Sequence, residues 1–453
     1  MDRARWCERV GSGPPDPTTG EQKSSDPSIS LSNQGRTKTG YSLVSVVRDR
    51  EPRELRCEDR TSNGATLTDR GNMTNAVIIG GGIAGAVAAV ALHKAGIGST
   101  VYEAYPRLAD DVGAFLTLGV NGMNALTAVD LDGPVAAVGE PARRLKVFDA
   151  DGVKVGDGPL TGADGHDLVP RTYLRAALYR VLLDEAERRG VRVERGRRLV
   201  DATATNTEVR AVFAEGSHAD GDLLIGADGV WSVTRGLLDR HAPAPRYTGQ
   251  HIVYGFSAAA PVVVPADTYW MIRGGRAFFG VIGGPRGGLW WFARVPAPEL
   301  AGAELAAMTT ERWRERLLAV LGGDRGPAAD IAAATTERIV GHNDYDLASV
   351  PTWQRGRMTI AGDAAHAASP SAGQGASMAI EDSVVLAKCL RDVPDVPRAL
   401  ATYETLRRPR VERLVEAAAA LSSRQSESRT RGQGDSDWIR DHHIDWDAPV
   451  EPA

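Results

Sequence analysis

Ala76-Val-Ile-Ile-Gly-Gly-Gly-Ile-Ala-Gly85 begins as a short β-branched apolar run, breaks at three consecutive glycines, and continues as a small-residue helical sequence to Lys94. Such a run, bounded by glycine, reads as a buried strand over Ala76–Ile79, and the residues after the glycines read as a helix over Ala84–Lys94. Gly80, Gly82 and Gly85 carry the G-x-G-x-x-G spacing at the junction. There glycine permits a tight turn, lets the backbone approach a pyrophosphate, and exposes helix N-terminal amides to negative charge. Ser99–Glu103 reads as the second strand of a βαβ unit. Glu103 closes it, where an acidic side chain accepts hydrogen bonds from a ribose diol. Glycines that only pack a helix on a sheet produce the same triplet, but the strand, helix and carboxylate together predict a dinucleotide site at the head of a parallel sheet.

The rest of the chain narrows the function class. Its 453 residues, 42% hydrophobic and 25% charged, can bury a large core and divide into about two domains. A net charge of -5 argues against nucleic acid, whose phosphates need clustered Lys and Arg. Small molecules are the expected partners. Cys7, Cys57 and Cys389 lie far apart without C-x-x-C spacing, which predicts no metal site and a reducing, cytoplasmic setting. The longest apolar run, Ala76 to Leu92, falls short of the roughly 20 residues a bilayer needs. Residues 1–72 are polar apart from Leu43–Val47 and are expected to be disordered, with Met73 opening the folded unit and standing as a candidate translation start.

Farther on, Leu174, Leu178, Val181 and Leu182 recur at helical spacing and predict a helix over 171–189 that stops at Gly190. Strands are expected at Val191–Glu194, Val209–Phe213 and Leu223–Ile225. Between 245 and 300 the aromatic runs Tyr269-Trp270-Met271, Phe278-Phe279 and Trp290-Trp291-Phe292 predict an antiparallel sheet in a separate substrate domain. A helix over Glu311–Leu321 closes it. A buried strand at Met358–Ala361 returns to the first pattern, helices follow over Gly375–Leu390 and Ala399–Leu421, and 422–453 reads as a loose polar tail. The expected fold is therefore α/β, with a dinucleotide domain split between 73–244 and 341–421 around a substrate domain at 245–340, to which part of 140–170 also contributes.

Two further motifs specify the cofactor. Leu223-Leu-Ile-Gly-Ala-Asp-Gly229 is an apolar strand ending in Asp-Gly, and Gly362-Asp363-Ala-Ala-His366 ends another, followed by Pro370 and by Gly373-Gln-Gly375 opening a helix. With Arg171-x-x-Leu174-x-x-x-Leu178 as a fourth element, the chain over roughly 75–420 resembles the group A flavoprotein monooxygenases, the para-hydroxybenzoate hydroxylase-like family of aromatic hydroxylases. That resemblance implies a Rossmann-like FAD-binding domain with an antiparallel substrate sheet. It implies that Gly80, Gly82, Ile83, Ala84 and Gly85 line the pyrophosphate, that Glu103 binds the adenosine ribose, and that Arg171 reaches FAD from its helix. It further implies that Val200 meets the adenine through its backbone, that Asp363 holds the ribityl chain or a phosphate-side oxygen, and that Asp228-Gly229 serves FAD and the nicotinamide cofactor together. Pro370, Gly373, Gln374, Gly375, Ala376 and Ser377 then lie beside the isoalloxazine. A glycine-rich helix start suits that place, because its dipole and free amides stabilise negative charge on reduced flavin.

The implied reaction is NADH or NADPH reduction of FAD, addition of O2 to give a flavin C4a-hydroperoxide, and transfer of one oxygen atom to an aromatic or polyketide-like enol. In this family the nicotinamide cofactor binds transiently, without a second βαβ domain. A flavin-bearing cyclase or isomerase on the same scaffold, and a non-catalytic flavin-binding sensor, carry the same glycine motifs and stand as alternatives. No catalytic base is assigned. His366 reads as a packing residue, and His442 and His443 as part of a solvated tail. The aromatic pairs read as sheet core, with Arg273 or Tyr254 as candidates to orient an acidic phenol or enol.

Overall fold

Asn75–Ile79 is an inner strand of a six-stranded sheet, in the order Gln354–Arg355, Met358–Ile360, Leu223–Gly226, Asn75–Ile79, Gly98–Glu103, Arg192–Arg195. All neighbours are parallel except the short edge strand Gln354–Arg355. The coordinates are a computed structural model, which describes residues 74–107, 114–161, 168–259, 261–284, 287–423 and 437–452. The expectations placed on 1–73, Met73 included, lie outside these residues. The helix after the glycine turn, Ile83–Lys94, is buried from Ile83 to Leu92. A helix apolar on all sides must be enclosed. This one lies against helix Arg175–Arg188 as well as helix Gly375–Asp392, and its alanines allow the close approach.

The second sheet has seven strands, in the order Ile339–Asp346, Arg246–Ser257, Leu289–Pro296, Phe278–Gly283, Thr268–Arg273, Arg144–Phe148, Lys154–Pro159. It is antiparallel apart from the pairing of Thr268–Arg273 with Arg144–Phe148. Strand alternation separates its faces. Trp291 and Phe279 stack on the outer face, 5.3 Å between centroids, with Trp291 donating to Thr335 Oγ1 at 2.9 Å. Helix Thr310–Leu321 covers that face, its Trp313 lying over Gly341. Tyr254, Phe256, Trp290, Phe292 and Arg294 occupy the inner face. Ile339–Asp346, whose greater part was assigned to the dinucleotide half, is an edge strand of this sheet. Two three-stranded sheets complete the β-structure among the described residues, one over 199–221 and one formed by Phe115–Leu118, Arg171–Leu174 and Glu140–Pro141.

Two expectations need correction. Arg171–Leu174 is a strand, and the helix begins only at Arg175. Thr172 and Tyr173 are fully buried between neighbouring strands, while Leu174 is 39% exposed. Leu174 therefore matched the helical period by coincidence, whereas Leu178 and Leu182 are buried on the helix. The expected loose tail is also docked where described. Asp437–Arg440 forms a helical turn, Ile439 and Ile444 are buried, and Trp438 and Trp446 pack on the core. Arg410 donates to the carbonyls of Trp438 and Ile439, at 2.7 and 3.1 Å, and Arg391 to that of Trp446 at 2.6 Å. Four apolar anchors scattered among polar residues carry no periodicity, which hid them from a reading based on composition.

Candidate active site

Each glycine of the first turn answers a different demand. Gly80 has φ +104, a left-handed value that favours glycine, and a Cβ there would meet the Ala227 carbonyl carbon at 2.9 Å. At Gly85 a Cβ would collide with the Gly80 carbonyl oxygen, so this glycine seats the helix on the strand. A Cβ at Gly82 would meet nothing within 4 Å. Gly82 is the N-cap of helix Ile83–Lys94 and no side chain caps that terminus, so the first-turn amides of Ile83, Ala84 and Gly85 are left for a ligand. Glu103 accepts from Gly81 N at 2.8 Å and Tyr105 N at 2.9 Å, which fixes its carboxylate beside the turn. Val200 lies on strand Leu199–Ala204, 49% exposed.

Folding brings the three glycine-bearing motifs together. Ala84, Ala227 and Ala379, one from each, form a buried cluster, and a Cβ at Gly362 would press on Ala84 and Ala379 at 3.0 and 3.2 Å. Gly362 has φ +61 and turns the chain at the end of strand Met358–Ile360, placing Asp363 at the head of a short helix. A Cβ on Gly375 would lie 3.9 Å from Asp363 Oδ1, so Asp363 and the start of helix Gly375–Asp392 border one space. Pro370–Ala372 is a 3₁₀ turn, Gly373 is left-handed at φ +64, and Gln374 caps the helix without a side-chain hydrogen bond. Ser377 is directed elsewhere: it is fully buried and accepts from Gly119 N at 3.1 Å. Asp228 is engaged internally, accepting from Ser232 Oγ, Thr234 N and Thr234 Oγ1, and Gly229 follows it at φ +76.

Arg171 acts from a strand, and its guanidinium donates to the carbonyls of Ala136 and Gly139 at 3.2 and 2.8 Å. Arg175, at the start of the helix, faces the space beside Asp363. Tyr179 foremost, then Tyr254 and Asp363, hold its charge against the cost of burial, and its Nε has no partner. The sequence signal for Arg175 was a second arginine four residues on, hidden by the helix assigned from 171.

Opposite these loops stands the inner face of the seven-stranded sheet. Phe115 is ringed by Tyr254, Phe256, Trp290 and Phe292 at centroid distances of 5.7, 6.3, 5.9 and 6.1 Å. Tyr269 OH contacts Thr117 Oγ1 at 2.7 Å. Burial pushes the Tyr254 phenol up to about 12, and its ring stacks on His342 at 5.9 Å. Burial first, then Arg175 and His251, push the His342 imidazole down to about 4. Arg294, 5% exposed, lies 4.1 Å from the Phe278 ring centroid and donates to Ser371 Oγ. Arg273 is exposed at the end of its strand, so Arg294 is the buried cation on this face. Phe115, Arg175, Arg294 and His342 were not singled out in the sequence.

A buried charge network underlies the site. Asp382 accepts from Gly362 N at 3.0 Å, from Arg407 Nε at 2.8 Å and from His366, while Glu381 is held by Arg407, Arg410 and Asn121. His366 is thus a paired, buried group beneath the turn. His442 belongs to the same network, its Nε2 3.7 Å from Glu381 Oε2, so it does not lie in a solvated tail.

The cradle left by Gly82, the uncapped helix starts and the orphaned Arg175 Nε fit a long anionic cofactor. Residues 73–418 match the family model described as an FAD binding domain. Aurachin C monooxygenase/isomerase from Stigmatella aurantiaca is 32% identical over 73% of this chain and 84% of its own. The 3-amino-4-hydroxybenzoate 2-monooxygenase of Streptomyces cremeus is 32% identical over 76% and 86%.

The chain belongs to the group A flavoprotein monooxygenases.

The crystal structure of Klebsiella pneumoniae HpxO complexed with FAD and uric acid is similar to this monooxygenase at TM-score 0.70 and 27% identity, covering 84% of this chain and 95% of that one. The protein is thus an FAD-dependent oxidoreductase, and no helix among its described residues is long and apolar enough to cross a membrane.

Proposed function

We propose that this flavoprotein is an NADH- or NADPH-dependent hydroxylase of an aromatic or polyketide-like enol. The observation that carries the reading is the aromatic inner face of the seven-stranded sheet, set opposite the loop Pro370–Ala376. Bound FAD supplies the redox and oxygen-activating chemistry. The first turn, Gly80 to Gly85, holds the pyrophosphate on helix amides, Glu103 takes the ribose, and the Val200 backbone borders the adenine. Asp363 and Arg175 face the ribityl side, Asp228-Gly229 shapes the turn between them, and Gly373 to Ala376 border the flavin ring, with the Gly373 amide closing the turn onto the Pro370 carbonyl and the helix-start amides of Gly375 and Ala376 facing the ring. The aromatic cage of Phe115, Tyr254, Phe256, Trp290 and Phe292 excludes water and orients a planar substrate. The sparse cysteines favour a cytoplasmic site of action.

The test is purified holoenzyme with NADH or NADPH and a panel of phenols, hydroxyquinolines and polycyclic enols under labelled O2. One labelled oxygen per substrate, with matched nicotinamide oxidation, is expected; nicotinamide oxidation that yields only peroxide with every member of the panel would sink the reading. The relative named monooxygenase/isomerase keeps a flavin-bearing isomerase as a second reading. That reading requires product formation without net oxygen incorporation.

A further inference from the structure

The segment Ala367 to Ser371, which leads into the helix start at Gly375, is tied to the seven-stranded sheet at every second residue. Leu347, just past strand Ile339–Asp346, donates its amide to the Ala367 carbonyl at 2.8 Å. Ser369 donates its hydroxyl to Asp344 Oδ2 at 3.1 Å, and Ser371 accepts from Arg294. The two serine hydroxyls meet at 3.1 Å. Farther along, Gly373 N donates to the Pro370 carbonyl at 3.0 Å, so the place of Pro370 is passed on to Gln374 and the helix start. At the other end of the segment, Gly362 and His366 are held by Asp382.

Asp344 is the hub of these bonds. Its Oδ2 also accepts from Thr248 Oγ1 at 2.8 Å and from Gln250 Nε2 at 2.9 Å, and Gln250 donates in turn to Ser369 Oγ at 3.1 Å. Asp344, Gln250, Ser369 and Arg294 are all buried. Among the described residues Asp344 has no ion-pair partner, so hydrogen bonds alone hold its carboxylate in the interior. Apolar side chains fill a core at less cost than such a group. What the carboxylate adds is direction: it draws donors from strand Arg246–Ser257 and from the loop onto one oxygen, which fixes the Ser369 hydroxyl and the turn that follows it.

We propose that Asp344 is a positioning residue for the flavin: acting through Ser369, it sets the loop Pro370–Gly373 and so the distance and angle at which the helix-start amides of Gly375 and Ala376 meet the flavin ring. The proposal deepens the hydroxylase reading and rests on it for the flavin's place beside the loop. Amides at a helix start stabilise the negative charge of reduced flavin, and their effect depends on direction as well as distance. A loop released from Ser369 lets those amides shift, which weakens their hold on the reduced form more than on the neutral oxidised form. The consequence is a lower reduction potential. Strands Arg246–Ser257 and Leu289–Pro296 also carry Tyr254, Phe256, Trp290 and Phe292, so the same bonds fix the aromatic cage relative to the loop.

The test measures the two-electron midpoint potential of FAD bound to the full-length holoenzyme, by anaerobic equilibration with a redox dye, together with FAD retention and thermal melting. Ser369→Ala should keep FAD and lower the potential by about 30 mV, a tenfold loss in the equilibrium for reduction. Asp344→Asn, which keeps an oxygen for the Ser369 hydroxyl, should stay at the wild-type potential. Asp344→Ala should match Ser369→Ala and add nothing to it in the double variant, because both cut one connection. Additive shifts in the double variant would overturn the proposal, as would equal shifts in Asp344→Asn and Asp344→Ala. A lower melting temperature at the wild-type potential in Ser369→Ala would assign these residues to the fold alone and overturn it too. Where Asp344→Ala does not fold, Ser369→Ala and Asp344→Asn decide. The expected shifts in an enzyme that incorporates no oxygen into any member of the substrate panel would count against the hydroxylase and support the positioning role.

Discussion

At the scale of single residues, the first turn separates glycines that hold the fold from a glycine that holds the ligand. Gly85 has no room for a Cβ because the Gly80 carbonyl occupies it, while Gly82 faces open space. Gly85→Val should cost about 1–3 kcal/mol or more through overpacking, lowering the thermal midpoint with or without flavin. Gly82→Asp should leave the apoprotein's melting unchanged and abolish FAD retention, because its carboxylate points where the pyrophosphate must lie. Thermal melts of stripped protein together with flavin absorbance distinguish the two, and equal melting losses would contradict the division. The spacing of these glycines was legible in the sequence because their roles follow from local backbone geometry. Arg175 was not, because its role depends on Asp363 and Tyr254, which come from distant parts of the chain.

Among the elements, those buried as whole runs were legible, and those buried by pairing were not. Asn75–Ile79 and Leu223–Gly226 are apolar almost throughout. Ile339–Asp346 buries Asn343, Asp344 and Asp346 through side-chain partners, so hydropathy gave it no strand signature. Helices Gly375–Asp392 and Val396–Ser423 are joined by a similar hidden device, Glu381 and Asp382 clamped by Arg407 and Arg410. Arg407→Met would take one cation from two buried carboxylates, which keep Arg410 and Asn121 on Glu381 and His366 on Asp382, and should destabilise by about 3 kcal/mol. The pairing also sets the acid limb. His366 and Arg407 hold Asp382 down to about 2 against burial, from an ordinary 3.8. A carboxyl depressed by folding adds stability above its unfolded pKa and loses it as pH falls through the folded one. Removing Arg407 raises that folded pKa, so acid unfolding of Arg407→Met, followed by circular dichroism, should begin at higher pH than in the wild type. Chemical denaturation with an unchanged midpoint would contradict the clamp. The segment 437–452 closes the far side of this network, covering Ile439 and Ile444 and using Arg410 as its anchor. Deleting 437–453 should lower the melting temperature by several degrees, consistent with losing about 1–3 kcal/mol of burial for each of these isoleucines.

For the whole molecule, the cofactor site is also a junction of remote chain segments. Ala84, Ala227 and Ala379 meet at one point, and Gly362 presses on two of them, so the backbone around 80, 228 and 362 must assemble before FAD can be held. A ligand that binds only the assembled state stabilises it by mass action, by about 2.7 kcal/mol at a hundredfold excess over Kd. Stripping FAD should therefore lower the unfolding midpoint, and titrating it back should raise the midpoint with the logarithm of free FAD. His342 gives this linkage a pH dependence. Its imidazole is held at about 4, below its ordinary 6.5, so the unfolded chain binds a proton that the folded chain refuses. Stability therefore rises with pH across that interval, and the penalty accumulates as pH falls from about 6.5 towards 4. His342→Gln removes the group, and its apoprotein should lose less stability between pH 7 and pH 5 than the wild type, by urea denaturation at both pH values. An identical pH dependence in the two proteins would show that His342 is not held neutral by burial and the cations beside it, and that its imidazole is as free to charge as one in water.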